Sequence, residues 1–295
     1  MKNKSLSIPL AIIGGSGAHS LLSKNIIGKP KIITGIKTPF GKTANLYSYK
    51  SKGLEFLFLP RHGSDGYKTS APFVNYRANI WGLKELGVQR IIAWSGPGVI
   101  NPTFEVGHYA VPHDVLDVTK NRPSTFFEKG GLGFIRMSHP FCPDMRHAII
   151  YALNQFGCPH YDESIYCCTE GPRLETPAEI NLYHSYGADL VGMTLAPEVF
   201  LARELEMCYA AVCYLTNFAE GLATRDYKSG VLFEGMMTDK EKVAVDSSLG
   251  KIPSIVTSAF QAIVNHDREC DCKNAMLRYR ERGDIKDDWR TWIDP

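Results

Sequence analysis

Little in this chain leans on charge. Its 295 residues carry 33 Lys and Arg against 31 Asp and Glu, a net charge of +2, so there is no electrostatic case for nucleic acid or an anionic membrane as a partner. Long hydrophobic runs are missing as well. The longest near the start, residues 8–13, stops at Gly14-Gly15 and is far short of the about 18 residues of a spanning helix. No signal-peptide cleavage pattern accompanies it, so the expected location is the cytoplasm. Neither an internal repeat nor a low-complexity linker interrupts the sequence. The glycine turn at residues 14–17 lacks a Walker lysine and the spaced third glycine of a dinucleotide fingerprint, which argues against a nucleoside triphosphate or NAD.

The eight cysteines, at 142, 158, 167, 168, 208, 213, 270 and 272, include no Cys-x-x-Cys pair with a matching pair or histidine partner. Spacing therefore predicts no zinc and no other metal. Cys167, Cys168, Cys208 and Cys213 sit in apolar runs and read as buried small hydrophobes. Cys270-Asp271-Cys272 stands in a polar tail and reads as two exposed, reduced thiols.

What is present is the composition of an ordinary globule, 44% apolar and 22% charged, able to bury a sizeable core. Strand-like apolar runs cover residues 10–13, 54–59, 90–94, 109–115, 165–168, 190–193 and 209–215. Helical patterns fall between them at 74–86, 148–156, 177–186 and 198–205, with Tyr76, Ile80, Leu83 and Leu86 forming one face of the first. Strands alternating with helices predict an α/β domain, a mixed and largely parallel sheet covered on both sides. Residues 240–264 read as a closing helix interrupted near Gly250–Pro253 by those two residues. The main domain then spans residues 1–265. The charged extension 266–295 holds Trp289 and Trp292, which argue for packing on that domain; an unstructured tail is the alternative.

Five segments could carry chemistry. Gly14-Gly15-Ser16-Gly17 follows a strand-like run, and such a loop offers backbone N–H groups and the Ser16 hydroxyl to an anion. Arg61-His62 follows another; a guanidinium fork supplies paired donors to phosphate and a neighbouring imidazole adds another. On these two residues alone a surface Arg and a loop His are the favoured reading, as core packing is for Met193. Glu175, within Gly171-Pro172-Arg173-Leu174-Glu175-Thr176, and Asn217, within Thr216-Asn217-Phe218, suit the edge of a 6-oxopurine. A carboxylate accepts from N1–H, and an asparagine donates to O6 or N7. By themselves they read as a helix-start carboxylate and a turn residue.

Together with Gly192-Met193-Thr194, these motifs in this order resemble the trimeric purine nucleoside phosphorylase family, most closely its methylthioadenosine and methylthioinosine phosphorylase branch. The resemblance runs from about residue 11 to residue 260. It implies the nucleoside phosphorylase fold, with Ser16, Arg61, His62, Ser95, Gly96 and Thr194 on phosphate and Met193 beneath the ribose. It also implies Leu174, Glu175 and Asn217 at the base, Glu175 and Asn217 as the catalytic pair, and Val243 and Val245 at a 5′-methylthio group. Family members assemble as trimers or dimers of trimers, which makes Phe126 or Phe127 a candidate contribution to a neighbouring subunit's site. A loop packed on its own subunit is the alternative.

Departures from the family pattern are visible. Trp94-Ser95-Gly96-Pro97-Gly98-Val99 replaces Thr-x-Ala-x-Gly-Ser, Gly66-Tyr67 stand where a second histidine is expected, and residues 221–237 are extra. An aspartate usual in adenosine-type relatives is Asn217 here, and a second is Ala219. The resemblance thus implies reversible phosphorolysis of a purine nucleoside, 6-oxopurine preferred, with inorganic phosphate as co-substrate and no cofactor. An adenine-preferring methylthioadenosine phosphorylase, a hydrolytic nucleosidase and a non-enzymatic nucleoside-binding protein stand as alternatives.

Overall fold

Successive apolar residues along a strand point to opposite faces of its sheet, and this chain fills both faces. In the computed structural model residues 9–18, 28–51, 53–222, 230 and 237–293 are described. The first half holds β1 (Leu10–Gly14), β2 (Lys31–Ile33), β3 (Lys37–Thr38), β4 (Gly41–Lys42), β5 (Leu46–Ser51), β6 (Leu54–Pro60), α1 (Tyr76–Glu85), β7 (Arg90–Ser95), β8 (Gly98–Val99), β9 (Tyr109–Ala110) and β10 (Asp114–Asp117). The second holds α2 (Pro143–Gln155), β11 (His160–Tyr161), β12 (Ile165–Cys168), α3 (Pro177–Ser185), β13 (Leu190–Gly192), α4 (Leu195–Glu204), β14 (Cys208–Tyr214), β15 (Asn217–Phe218), α5 (Asp239–Ile263) and α6 (Leu277–Glu281).

The large sheet has the order β11-β9-β14-β7-β1-β6-β5-β2, parallel at its centre, where β6, β1, β7 and β14 pair. Ala11, Ile13, Ile91, Ala93, Tyr209 and Ala211 enter one core cluster with residues of α1 and α4. Their neighbours Leu10, Ile12, Ile92, Trp94, Ala210 and Val212 enter another with residues of α2 and α5. A smaller sheet, β10-β12-β13-β8-β15, continues from the same chain. This single α/β domain, a mixed sheet flanked by helices, agrees with the expected class. Among the described residues no helix is long and apolar enough to cross a membrane.

Three expectations are corrected. Residues 109–115 are two strands in two sheets, β9 and β10, because Pro112 lies between them and cannot donate to a ladder. α5 runs unbroken through Gly250 and Pro253. Burial of Ile252, Pro253, Ile255, Val256 and Phe260 offsets the missing hydrogen bond. Cys270 and Cys272 are buried, not exposed, and lie beside Cys142 and Cys208. Spacing rules see only ligands close in sequence, so this gathering was invisible to them.

The tail joins the same core. Met276, Tyr279, Ile285, Trp292 and Ile293 are buried in the α1–α4 cluster, and Trp289 meets Trp81 edge-on at 4.5 Å. Arg280 forks onto Glu206 at 2.8 and 2.9 Å. Most of the extra stretch, residues 223–229 and 231–236, lies outside the described residues.

Candidate active site

Parallel β1 and β7, with β6 beside β1, bring three loops to one end of the large sheet: residues 15–17, Arg61-His62, and Ser95-Gly96. The register of the small sheet brings two more. Cys168 pairs with Gly192, Val191 with Gly98, and Gly98 with Asn217, so residues 169–175, 193–194 and 217 follow from neighbouring strands.

The glycine loop packs too tightly for side chains. A Cβ on Gly15 would lie 2.6 Å from the Trp94 carbonyl oxygen and 3.0 Å from an Arg61 nitrogen. Trp94 and Tyr214 latch the loop from outside: indole Nε1 and the phenol both donate to the Ser16 carbonyl, at 3.4 and 3.1 Å. The Trp94 ring therefore lies in the α2–α5 core, and only its backbone faces the site. Ser16 itself is exposed.

Arg61 is buried, but its fork does not face an open site as expected. Nε and Nη2 each donate to Glu198 at 2.7 Å. Burial alone would lower the Arg61 pKa, yet the adjoining Glu198 carboxylate raises it above the ordinary value. Only Nη1 reaches the site, donating to the Trp94 carbonyl at 3.1 Å and the Thr194 hydroxyl at 3.3 Å. Ser95 Oγ lies 3.5 Å from Thr194 Oγ1 and 3.1 Å from the Tyr166 hydroxyl. Arg61, Ser95 and Thr194 are thus one buried polar cluster beside the glycine loop.

His62 corrects a second expectation. Its Nδ1 lies 2.8 Å from the Thr69 carbonyl, which can only accept, so Nδ1 carries the proton. Burial, with the Arg61 charge behind it, pushes the His62 pKa down to about 4. The ring is neutral near pH 7 and Nε2 is an acceptor, not an added donor. Tyr67 stacks on it with centroids 4.1 Å apart.

Glu175 is half-buried and accepts from the Thr169 hydroxyl at 2.5 Å. The helix-start role belongs instead to Thr176 and Glu179, a reciprocal capping box on α3. Glu175, Thr169, Gly171, Arg173 and Tyr183 line a cleft of 160 Å³. Met193 stands at its Gly171 wall, where a Cβ would meet Sδ at 2.4 Å; Leu174 is half-buried beside Glu175. Asn217 is half-buried with its amide turned along its own strand: Nδ2 donates to the Phe218 carbonyl at 2.8 Å, and Oδ1 accepts from Thr216 at 2.7 Å. One amide hydrogen remains. Gly96 lies close by, since a Cβ there would meet Tyr214 and Thr216 at 2.8–2.9 Å.

Val243 and Val245 do not share a pocket wall. Two residues apart on α5, they point about 160° away from each other; Val243 is 70% exposed and Val245 packs inward. Phe126 is buried against Phe40 and Trp81, and Phe127 packs partly behind it. Their loop is therefore self-packed. Its Thr125 hydroxyl and Phe126 N–H donate to Glu204, at 2.5 and 2.7 Å.

Sequence reasoning missed Glu198 and Arg122. Arg122 is buried and donates to the carbonyls of Thr169, Met193 and Ala196 at 3.1, 2.5 and 3.1 Å, which ties the two strand-end loops together. Its neighbours Asn121 and Pro123 mark a loop, and nothing local indicates that the guanidinium turns inward.

The family model of the phosphorylase superfamily matches residues 9–245. The chain belongs to that superfamily. It is 38% identical over 274 residues to the 6-oxopurine nucleoside phosphorylase of Pyrococcus furiosus, covering 90% of this chain and 97% of that protein. Identity is 37% over 267 residues to a probable S-methyl-5′-thioinosine phosphorylase of Methanothermobacter thermautotrophicus, covering 90% and 88%. Among solved structures, a methylthioadenosine phosphorylase from an antarctic soil metagenomic library aligns with a TM-score of 0.80 at 28% identity, covering 92% of each chain. Methylthioadenosine phosphorylase from Schistosoma mansoni in complex with adenine also aligns with a TM-score of 0.80, at 26% identity over 96% of this chain and 99% of that one.

Proposed function

We propose that the chain catalyses phosphorolysis of purine nucleosides, 6-oxopurine preferred, releasing the base and a ribose-1-phosphate. The observation that carries this reading is the placement of the Arg61–Ser95–Thr194 cluster beside the glycine loop, with the Glu175 cleft one strand away.

Phosphate accepts from the hydroxyls of Ser16, Ser95 and Thr194 and the Gly96 N–H, and from Arg61 Nη1 as a phosphate oxygen replaces the Thr194 hydroxyl as acceptor of one of its two hydrogens. His62 Nε2 accepts the remaining proton of hydrogen phosphate, which orients an unprotonated oxygen toward the sugar. Met193 lies beneath the ribose. As the bond from C1′ to N9 breaks, positive charge on the sugar is stabilised by phosphate and negative charge grows on the base. Asn217 donates its amide hydrogen to O6 or N7, an interaction stronger in the transition state than before it. Glu175, fixed by Thr169, accepts from N1–H. The phosphate oxygen bonds to C1′, the electron pair of the broken bond leaves with the base, and the base takes a proton from water, balanced by the proton that the new phosphate ester gives up to solvent.

The relatives named for 6-oxopurine nucleosides and methylthioinosine support this base preference. The family likeness supports a trimer in which the neighbour completes the 5′ end; exposed Phe73, Phe134 and Val243 are available to such contacts. The deciding assay measures base release with and without phosphate and follows the sugar product by phosphorus NMR. Equal release without phosphate would mean hydrolysis, and no release would leave a nucleoside-binding protein.

A further inference from the structure

Four of the eight cysteines meet where the tail crosses the start of β14. Cys142 precedes α2, Cys208 opens β14, Cys270 caps the single turn of helix at Asp271–Asn274, and Cys272 lies within that turn. All four are buried, and their Sγ atoms lie within 4.8 Å of one another. A zinc–thiolate bond is about 2.3 Å, which gives tetrahedral sulfur–sulfur edges of about 3.8 Å. The Cys208–Cys270 separation is 3.5 Å, near that edge and far above the about 2.05 Å of a disulfide.

The surroundings suit thiolates. Arg203 donates from Nη1 to Cys272 Sγ at 2.9 Å, and the N-terminus of α2 points its positive end at Cys142. Backbone anchors fix two of the ligands: Cys142 N–H donates to the Tyr209 carbonyl at 2.8 Å, and Cys270 N–H to Asp144 at 3.0 Å. Arg268 is fastened nearby through the Glu206 carbonyl at 2.8 Å.

We propose that Cys142, Cys208, Cys270 and Cys272 form a closed tetrathiolate site for one zinc ion, which fastens the C-terminal segment to the large sheet. Each thiol gives up its proton on binding, and two positive charges meet four negative ones, with Arg203 offsetting part of the remainder. The site is structural. Cys213, five residues along β14 from Cys208, pairs with Ser95, so Cys208 lies about 16 Å from the phosphate end of the strand.

The test is metal and thiol analysis of the full chain, expressed with zinc supplied and purified without chelator. About one zinc per chain is expected, retained by Cys158→Ala and lost in Cys270→Ser with Cys272→Ser. A mercurial should release that zinc to an indicator dye, and in a separate sample, not treated with mercurial, all eight thiols should titrate in denaturant with chelator. Should the double variant fail to fold, cobalt substitution of the unaltered chain keeps the proposal testable. It should give thiolate-to-cobalt charge-transfer bands and the visible bands of tetrahedral coordination. Metal-free protein that titrates eight thiols, or metal-free protein that titrates four because two disulfides have formed, would overturn the proposal. Absence of the cobalt bands would do the same.

Discussion

Arg61 and Glu198 meet as two parallel prongs, Nε on one carboxylate oxygen and Nη2 on the other, each at 2.7 Å and both side chains out of solvent. The pair leaves one guanidinium nitrogen, Nη1, and holds it against the Trp94 carbonyl and Thr194. Tyr209 adds a third hydrogen bond to the carboxylate, also 2.7 Å. The proposed phosphate cradle is thereby fixed from behind by β14 and α4.

Glu198→Ala should strand the buried Arg61 charge. Removing one partner of such a pair costs about 3–5 kcal/mol, and urea melts should show the loss. A change below about 1 kcal/mol would contradict a buried, uncompensated guanidinium.

His62 makes stability fall on the acid side. Its pKa is near 4 when folded against 6.5 for the free group, so the unfolded chain binds the proton first. The stability present above pH 6.5 is lost as pH falls toward 4, by roughly 3 kcal/mol in full. His62→Gln should remove this part of the pH dependence, read as the difference between the two proteins' melts at pH 7.5 and pH 4. Parallel profiles would show that His62 is not held neutral.

Much of this was legible beforehand because apolar runs report strands directly. Residues 10–13, 54–59, 90–94 and 165–168 mark strands observed at nearly the same bounds. The loops after them carry the glycine turn, Arg61 and Ser95, so the sheet order alone gathers them. Partners from distant segments were not legible. Glu198 is 137 residues from Arg61, and Thr69 decides the His62 tautomer through a backbone carbonyl. Val243 and Val245 are two residues apart on one helix and so face different ways, a consequence of helical geometry that the family likeness does not carry.

Thr169→Val should loosen Glu175 without altering its charge. A hydrogen bond to a charged group contributes about 1.5–3 kcal/mol, so kcat/KM on inosine should fall by about 10- to 150-fold while adenosine changes less. Equal losses on both would mean that the bond positions the loop rather than the carboxylate.

Trp292 ties the tail to the core through burial in the α1–α4 cluster, with 5% of its surface exposed, while its Nε1 donates within the tail to the Lys286 carbonyl at 2.6 Å. Trp292→Ala should cost about 3–5 kcal/mol. An unchanged denaturation midpoint would show that the tail contributes nothing to the folded domain.

Asn217 and Glu175 together make the central claim, that this is a phosphorylase reading a 6-oxopurine edge. The most direct measurement is kcat/KM, with and without phosphate, on inosine, methylthioinosine, adenosine and methylthioadenosine for the unaltered chain and Asn217→Asp. The account predicts phosphate-dependent release, faster from the two hypoxanthine nucleosides, and a shift toward the adenine nucleosides in the variant. Release that ignores phosphate, or an unaltered chain that prefers adenine nucleosides, would contradict it.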